Sequence, residues 1–141
     1  MLTDTSGRAV IVLVVEDDVD LREALELVLS EAGYVVYTAA NGVEALEALQ
    51  QIRPALIITD LMMPEKNGWD LLDEIDQMPT LSAIPRIVIT AAANAGAIGL
   101  KAPVFIKPVR AEDLVRAVQA YTRRRPARGG GDAPRTTEAG S

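Results

Sequence analysis

Residues 10–15 read VIVLVV, an unbroken apolar and largely β-branched run with no polar residue to alternate with. Such a run marks a strand buried on both faces, which is the condition of a strand inside a parallel sheet. The next segment agrees. From Val19 onward, Leu21, Ala24, Leu25, Val28, Leu29 and Ala32 recur at the spacing of one helical face, and Gly33 stops the stripe.

The same alternation of strand and helix continues along the chain. Residues 35–39 make a short second strand. Asn41 is placed to cap a helix whose third residue is Glu44, with Ala45, Leu46 and Leu49 facing inward and Pro54 ending it. Residues 55–59 are the third strand. Beyond the turn-rich residues 64–68, residues 69–78 set Leu71, Leu72 and Ile75 on one side of a third helix, with Trp69 as a packing residue at its start. Residues 86–90, RIVIT, form the fourth strand. Residues 91–101, AAANAGAIGLK, predict a short or broken helix, because Gly96 and Gly99 each cost about 1 kcal/mol in a helix interior. Residues 103–106 are the fifth strand, and Leu114, Val115, Val118 and Tyr121 give the apolar face of a last helix. Right-handed crossovers turn this ladder into an α/β fold, a doubly wound five-stranded parallel sheet with helices on both faces. Two strand orders are common and the pattern does not choose between them, but in both a ligand sits outside the carboxyl ends of the strands.

The chain has 141 residues, which allows one domain, and its 49% apolar and 24% charged content is that of an ordinary globular unit. It contains no Cys and no His. Disulfides, thiolate and Ser-His-Asp catalysis, the commonest metal ligand and any part as a histidine phosphodonor are thereby excluded. Oxygen and amine chemistry is left.

That chemistry stands at the strand ends. Glu16 and Asp17 follow the first strand, Asp60 the third, Thr90 ends the fourth and Lys107 follows the fifth, while the second strand ends in Ala39 and Ala40. In the order 2-1-3-4-5 the four useful strands are neighbours, and these side chains converge. Adjacent strands are about 4.8 Å apart, and two carboxylates about 5 Å apart repel by roughly 3 kcal/mol at an effective dielectric of 20. Three of them call for protons or a cation. With hard oxygen donors alone, the cation is Mg²⁺ or one like it, which keeps waters and favours phosphate as a further ligand. Lys107 then serves as a point charge for phosphate oxygens, Thr90 as a hydroxyl donor and Asp60 as an oxygen nucleophile. No glycine-rich nucleotide cradle follows the first strand. Asp18 and Asp20 are read as carboxylates at the positive end of the first helix rather than as ligands. An EF-hand starting at Asp18 fails, because Arg22 takes a ligand position and Glu23 that of the required Gly.

Four segments, VVEDD at 14–18, TDLMMPEKNG at 59–68, IVIT at 87–90 and IKP at 106–108, occur in this order at strand ends, and on them the chain resembles the receiver domain of two-component response regulators. The resemblance covers residues 8–121 and suggests a stand-alone, single-domain type. It implies the flavodoxin-like order 2-1-3-4-5, Mg²⁺ held by Glu16, Asp17, Asp60 and the main-chain carbonyl of Met62, and a cis Lys107–Pro108 peptide. It further implies phosphorylation of Asp60 by a histidine kinase or histidine phosphotransfer protein, assisted by Thr90 and Lys107. The chain departs from the family where an aromatic switch residue usually stands three positions before the lysine. Val104 is there, and Phe105 by strand alternation points to the other face. The interval from Thr90 to Lys107 is also short for the family.

Charge separates the body from the tail. Residues 1–121 carry 9 basic and 18 acidic side chains, net −9, and residues 122–141 carry 5 Arg and 2 acids, net +3, which together give the −6 of the whole chain. The acidic body would repel a nucleic-acid backbone. The tail, 122–141, is rich in Gly and Pro and is expected to be disordered. No signal peptide, membrane span or effector segment is read, so a cytoplasmic location and output through an unknown downstream protein, or through a homodimer, are expected. A Mg²⁺-dependent phosphohydrolase using Asp60 and a non-phosphorylated pseudo-receiver scaffold are the alternatives.

Overall fold

A computed structural model of the protein describes residues 1–63, 65–91 and 102–123. Its elements run β1 (Ile11–Val15), α1 (Val19–Glu31), β2 (Val35–Ala39), α2 (Gly42–Leu49), β3 (Leu56–Asp60), α3 (Gly68–Asp76), β4 (Arg86–Thr90), β5 (Val104–Ile106) and α4 (Ala111–Arg123). The five strands form one parallel sheet in the order β2-β1-β3-β4-β5. The apolar runs explain its depth: Val12 to Val15 and Leu56 to Ile58 are fully buried, and each large side chain so buried contributes about 1.5–3 kcal/mol.

Strand alternation sorts the core into two layers. Val12, Val14, Leu56, Ile58, Ile87 and Ile89 face Leu25 and Leu29 of α1 and Leu114 and Val118 of α4. Leu13, Val15 and Ile57 face Ala45 and Leu49 of α2 and Leu71 and Ile75 of α3. A small third cluster joins Leu61, Leu72 and Val88, with Ala102 and Val104 against it. Phe105 packs in the α1 and α4 layer, so Val104 and Phe105 do lie on opposite faces.

Local chemistry sets the helix starts. The Asp18 carboxylate accepts from the backbone N–H groups of Asp20 and Leu21, Asn41 accepts from Glu44 N–H, and Asn67 accepts from Asp70 N–H. Glu44 reaches back to Ala40 N–H at 2.9 Å, closing a box around the start of α2. Gly33, at φ +105°, takes the left-handed conformation that ends α1.

Several details differ from the sequence reading. The stripe on α1 is narrower, because Val19 and Ala24 are exposed and burial falls on Leu25 and Leu29. α2 stops at Leu49, well before Pro54. β3 is shifted by one residue, so that Asp60 is its last member rather than the residue after it. Trp69 belongs to none of the apolar clusters and is 40% exposed; as the second residue of α3 it stands at the rim of the sheet, where the strand layer no longer reaches it. The helix expected over residues 91–101 falls, from residue 92 on, outside the described residues, as does the tail from residue 124; residues 122 and 123, expected to begin a disordered tail, instead complete α4, where Thr122 is held by hydrogen bonds to Tyr34 and Val118. No helix among the described residues is long and apolar enough to cross a membrane.

Candidate functional site

The register brings the strand ends level. Val15 pairs with Thr59, so Glu16 and Asp60 are the next residues on adjacent strands; Asp60 pairs with Ile89, and Thr90 pairs with Ile106. The ladder runs past both outer strands: Glu16 N–H donates to the Ala39 carbonyl at 3.0 Å and Lys107 N–H to the Thr90 carbonyl at 2.8 Å. Glu16, Asp60 and Lys107 continue the alternation of Val14, Ile58 and Phe105, whereas Thr90 continues that of Val88.

The carboxylates of Glu16, Asp17 and Asp60 each offer an oxygen, and these lie within 4.8 Å of one another. Glu16 is fully buried, Asp60 nearly so at 4% exposure, and Asp17 faces solvent. Lys107 Nζ pairs with both buried acids, 2.7 Å from Asp60 Oδ2 and 3.0 Å from Glu16 Oε1. The first contact is a hydrogen bond; the second is an ion pair without hydrogen-bond geometry, leaving Glu16 Oε1 short of a donor. Glu16 Oε2 accepts from Asp18 N–H at 3.0 Å, and the Arg22 guanidinium donates to the Glu16 carbonyl at 2.8 Å. Asp60 Oδ1 accepts from Met62 N–H at 3.3 Å. The Thr90 hydroxyl is buried and has no partner.

Burial pushes the Glu16 carboxyl above its ordinary value, and the neighbouring Asp60 charge adds to this against the opposing pull of Asp18 N–H and Lys107. Burial alone would lower Lys107, but its contacts with the Asp60 and Glu16 carboxylates outweigh it and hold the ammonium above its ordinary value. Three carboxylates against one ammonium leave the crevice at −2 when all are ionised. A divalent cation cancels that charge, and the all-oxygen donor set with one under-satisfied carboxylate oxygen suits Mg²⁺.

All the sequence-predicted side chains thus come to one place or line its edge: Glu16, Asp17, Asp60 and Lys107 meet directly, and Thr90 ends the strand between Asp60 and Lys107. Lys107–Pro108 is cis. The sequence reading missed the scaffold around them. Gly68 N–H donates to the Leu61 carbonyl at 2.8 Å, and a Cβ at Gly68 would collide with the Asp60 carbonyl and lie 2.8 Å from Leu61 Cα. Gly42 N–H likewise meets the Lys66 carbonyl at 2.8 Å, and Lys66 pairs with Glu74, so the loop from Leu61 to Asn67 is tied to both α2 and α3. Glu65 in that loop has φ +64°. The only signal in the sequence was the Asn-Gly step at 67–68. Arg22 had shown itself only as a residue that spoils a calcium loop.

A 2-1-3-4-5 sheet with an acidic crevice and a lysine at its carboxyl edge defines the class of flavodoxin-like signalling modules. The family model of the response regulator receiver domain matches residues 12–119, and the chain belongs to that family. The signal receiver domain of a signal transduction histidine kinase from Syntrophus aciditrophicus is 31% identical, covering 89% of this chain and 99% of that one with a TM-score of 0.76. The receiver domain of the sensor histidine kinase PA1611 from Pseudomonas aeruginosa PAO1, solved with a magnesium ion coordinated in its active-site cleft, is 26% identical over 82% of this chain and 98% of that one, with a TM-score of 0.73. The DNA-binding response regulator MtrA of Mycolicibacterium paratuberculosis is 33% identical over 118 residues, 80% of this chain; the chain spans only 51% of that relative's length.

Proposed function

We propose that residues 8–121 act as a phosphoacceptor switch in a two-component phosphorelay, with Asp60 taking the phosphoryl group from a phosphohistidine of a kinase or phosphotransfer protein. The observation that carries this reading is Asp60 itself: a nearly buried carboxylate at the central strand end, 2.7 Å from Lys107 Nζ, beside a buried hydroxyl on Thr90 that has no acceptor. In the transfer the N–P bond of the donor breaks, a bond forms between phosphorus and an Asp60 carboxylate oxygen, and the imidazole leaves. Such a step needs positioning and charge neutralisation more than covalent assistance. Lys107 stays in place to meet the phosphoryl oxygens, and Thr90 gains the acceptor it lacks.

Glu16, Asp17 and Asp60, with the Met62 carbonyl, would hold Mg²⁺, which supplies the positive charge that lets an anionic phosphoryl group approach a crevice at −2. The magnesium ion in the PA1611 receiver supports this placement by similarity. The role is that of a cytoplasmic signalling module whose output passes through protein contacts, not of an enzyme that turns over a substrate. Incubation with acetyl phosphate and Mg²⁺ should add the mass of one phosphoryl group to the intact chain, and Asp60→Asn should abolish the gain. Undiminished labelling of that variant overturns the assignment.

A further inference from the structure

At the end of the sheet opposite Asp60, residues 2–5 and 8–11 and the approach to β3 line a half-open cavity of about 900 Å³. The N-terminal segment forms one wall. Leu2 N–H donates to the Gly33 carbonyl at 2.7 Å, Val10 N–H donates to the Leu2 carbonyl at 3.0 Å, and Thr3 bridges Ala9 in antiparallel fashion. Ile52, Pro54 and Tyr37 line it with apolar and aromatic surface, and two exposed arginines, Arg8 and Arg53, belong to the same lining.

These two arginines are unlike the others. Arg22 donates to the Glu16 carbonyl, Arg86 to Asp76, Arg110 to Glu112 and Arg116 to Asp113. Among the arginine side chains described, only Arg8 and Arg53 have no protein oxygen as acceptor, and both line one cavity in a chain whose net charge is −6. Among the described residues of the lining the carboxylate is Asp4, which turns an oxygen to Ser6 N–H, the Ser6 hydroxyl and Arg8 N–H. A guanidinium is a fork of donors that matches a carboxylate or phosphate in two parallel hydrogen bonds. Cavities of roughly 300–1,000 Å³ with an apolar lining and a few convergent polar groups are the usual form of small-ligand sites.

We propose that this cavity binds a small organic anion, its carboxylate or phosphate head paired with Arg8 and Arg53 and its ring-sized apolar body against Tyr37, Ile52 and Pro54. The site is separate from the acidic crevice, which lies a strand length away, roughly 16 Å for five residues, and repels anions when no metal is bound.

The test is a titration of the full chain, ¹⁵N-labelled and held in chelator so that the crevice stays anionic, with phenyl phosphate as the probe. Benzoate distinguishes a carboxylate head from a phosphate, and inorganic phosphate and phenol supply head and body alone. Saturable shifts are expected at the backbone amides of Thr3, Arg8, Tyr37 and Arg53. Phenyl phosphate or benzoate should bind at least tenfold more tightly than either half. The double variant Arg8→Gln/Arg53→Gln should lose tenfold or more in affinity while keeping the wild-type melting temperature and the wild-type mass gain with acetyl phosphate. Absence of saturable shifts at the cavity, equal binding by inorganic phosphate alone, or unchanged affinity in the double variant overturns the proposal.

Discussion

Glu16 is a fully buried carboxylate with one oxygen held by Asp18 N–H and the other facing Lys107 without a proper hydrogen bond. Its raised carboxyl means that, between the ordinary 4.5 and the raised value, the folded chain binds more protons than the unfolded one, so stability falls as pH rises through that window. Lys107 has the same sign of pH dependence but the opposite weight at neutral pH: raised above 10.5, it contributes stability that is fully present below that value and is lost as pH climbs through its folded value. Glu16→Gln should therefore raise the urea midpoint in chelator at neutral pH and flatten the acid-side slope. The same variant should lose the stabilisation by Mg²⁺, which in the wild type is about 2.7 kcal/mol at 100 times the dissociation constant. A wild-type response to Mg²⁺ in the variant would remove Glu16 from the metal site. At this scale the sequence was informative for a simple reason. The residues that meet here are those that follow buried strands, and buried strands announce themselves by unbroken apolar runs. Gly68 and Arg22 act through close approach and reach between elements, which no local pattern encodes.

Asp18 separates two functions that share one short segment of chain. Its side chain caps α1 through the N–H groups of Asp20 and Leu21, while its own backbone N–H, which any residue but proline retains, supports Glu16. Asp18→Ala should cost about 1 kcal/mol in denaturant unfolding, with little change in the mass gain from acetyl phosphate. A loss of phosphorylation out of proportion to the lost stability would make Asp18 part of the site rather than a cap. The strands β1, β2 and β4 were legible from their own β-branched runs, and the caps at Asp18 and Asn41 because each rests on a contact within a few residues, whereas the cap at Asn67 was not read. Element edges were less so. β3 gained Asp60 because its pairing with Ile89 extends the ladder one residue past the apolar run, and α2 lost its last turn because the C-cap at Gln50 closes it before Pro54 can. Burial on α1 falls short of Ala24 because the facing strands and α4 cover only a narrow stripe.

Across the whole molecule, the layer on one side of the sheet is closed by a contact between residues far apart in sequence: the hydroxyls of Tyr34, just before β2, and Thr122, near the end of α4, lie 2.7 Å apart. Tyr34 is 4% exposed, so its hydroxyl has little water to fall back on. Thr122 also donates to the Val118 carbonyl at 2.9 Å and keeps a partner if Tyr34 is shortened. Tyr34→Phe should then cost about 0.5–1.5 kcal/mol, measured by urea unfolding, with the Asp60 chemistry at the other end of the sheet unaffected. An equal effect on phosphorylation would mean that the two ends are coupled through the strands. The strand order and the convergence of the carboxyl ends followed from the βα ladder together with the four strand-end motifs, whereas the cavity under the N-terminal segment was invisible, because residues 1–9 show no periodicity and gain their place only by bridging back on themselves and onto Gly33. One consequence concerns length. Glu16, Asp60 and Lys107 share one phase of the pleat and Thr90 the other, so a single residue inserted within β3 would carry the acceptor carboxylate to the side of α2 and α3, away from its lysine. Loops and helices in such a chain are free to grow or shrink over generations, but the strands can change length only in steps of two.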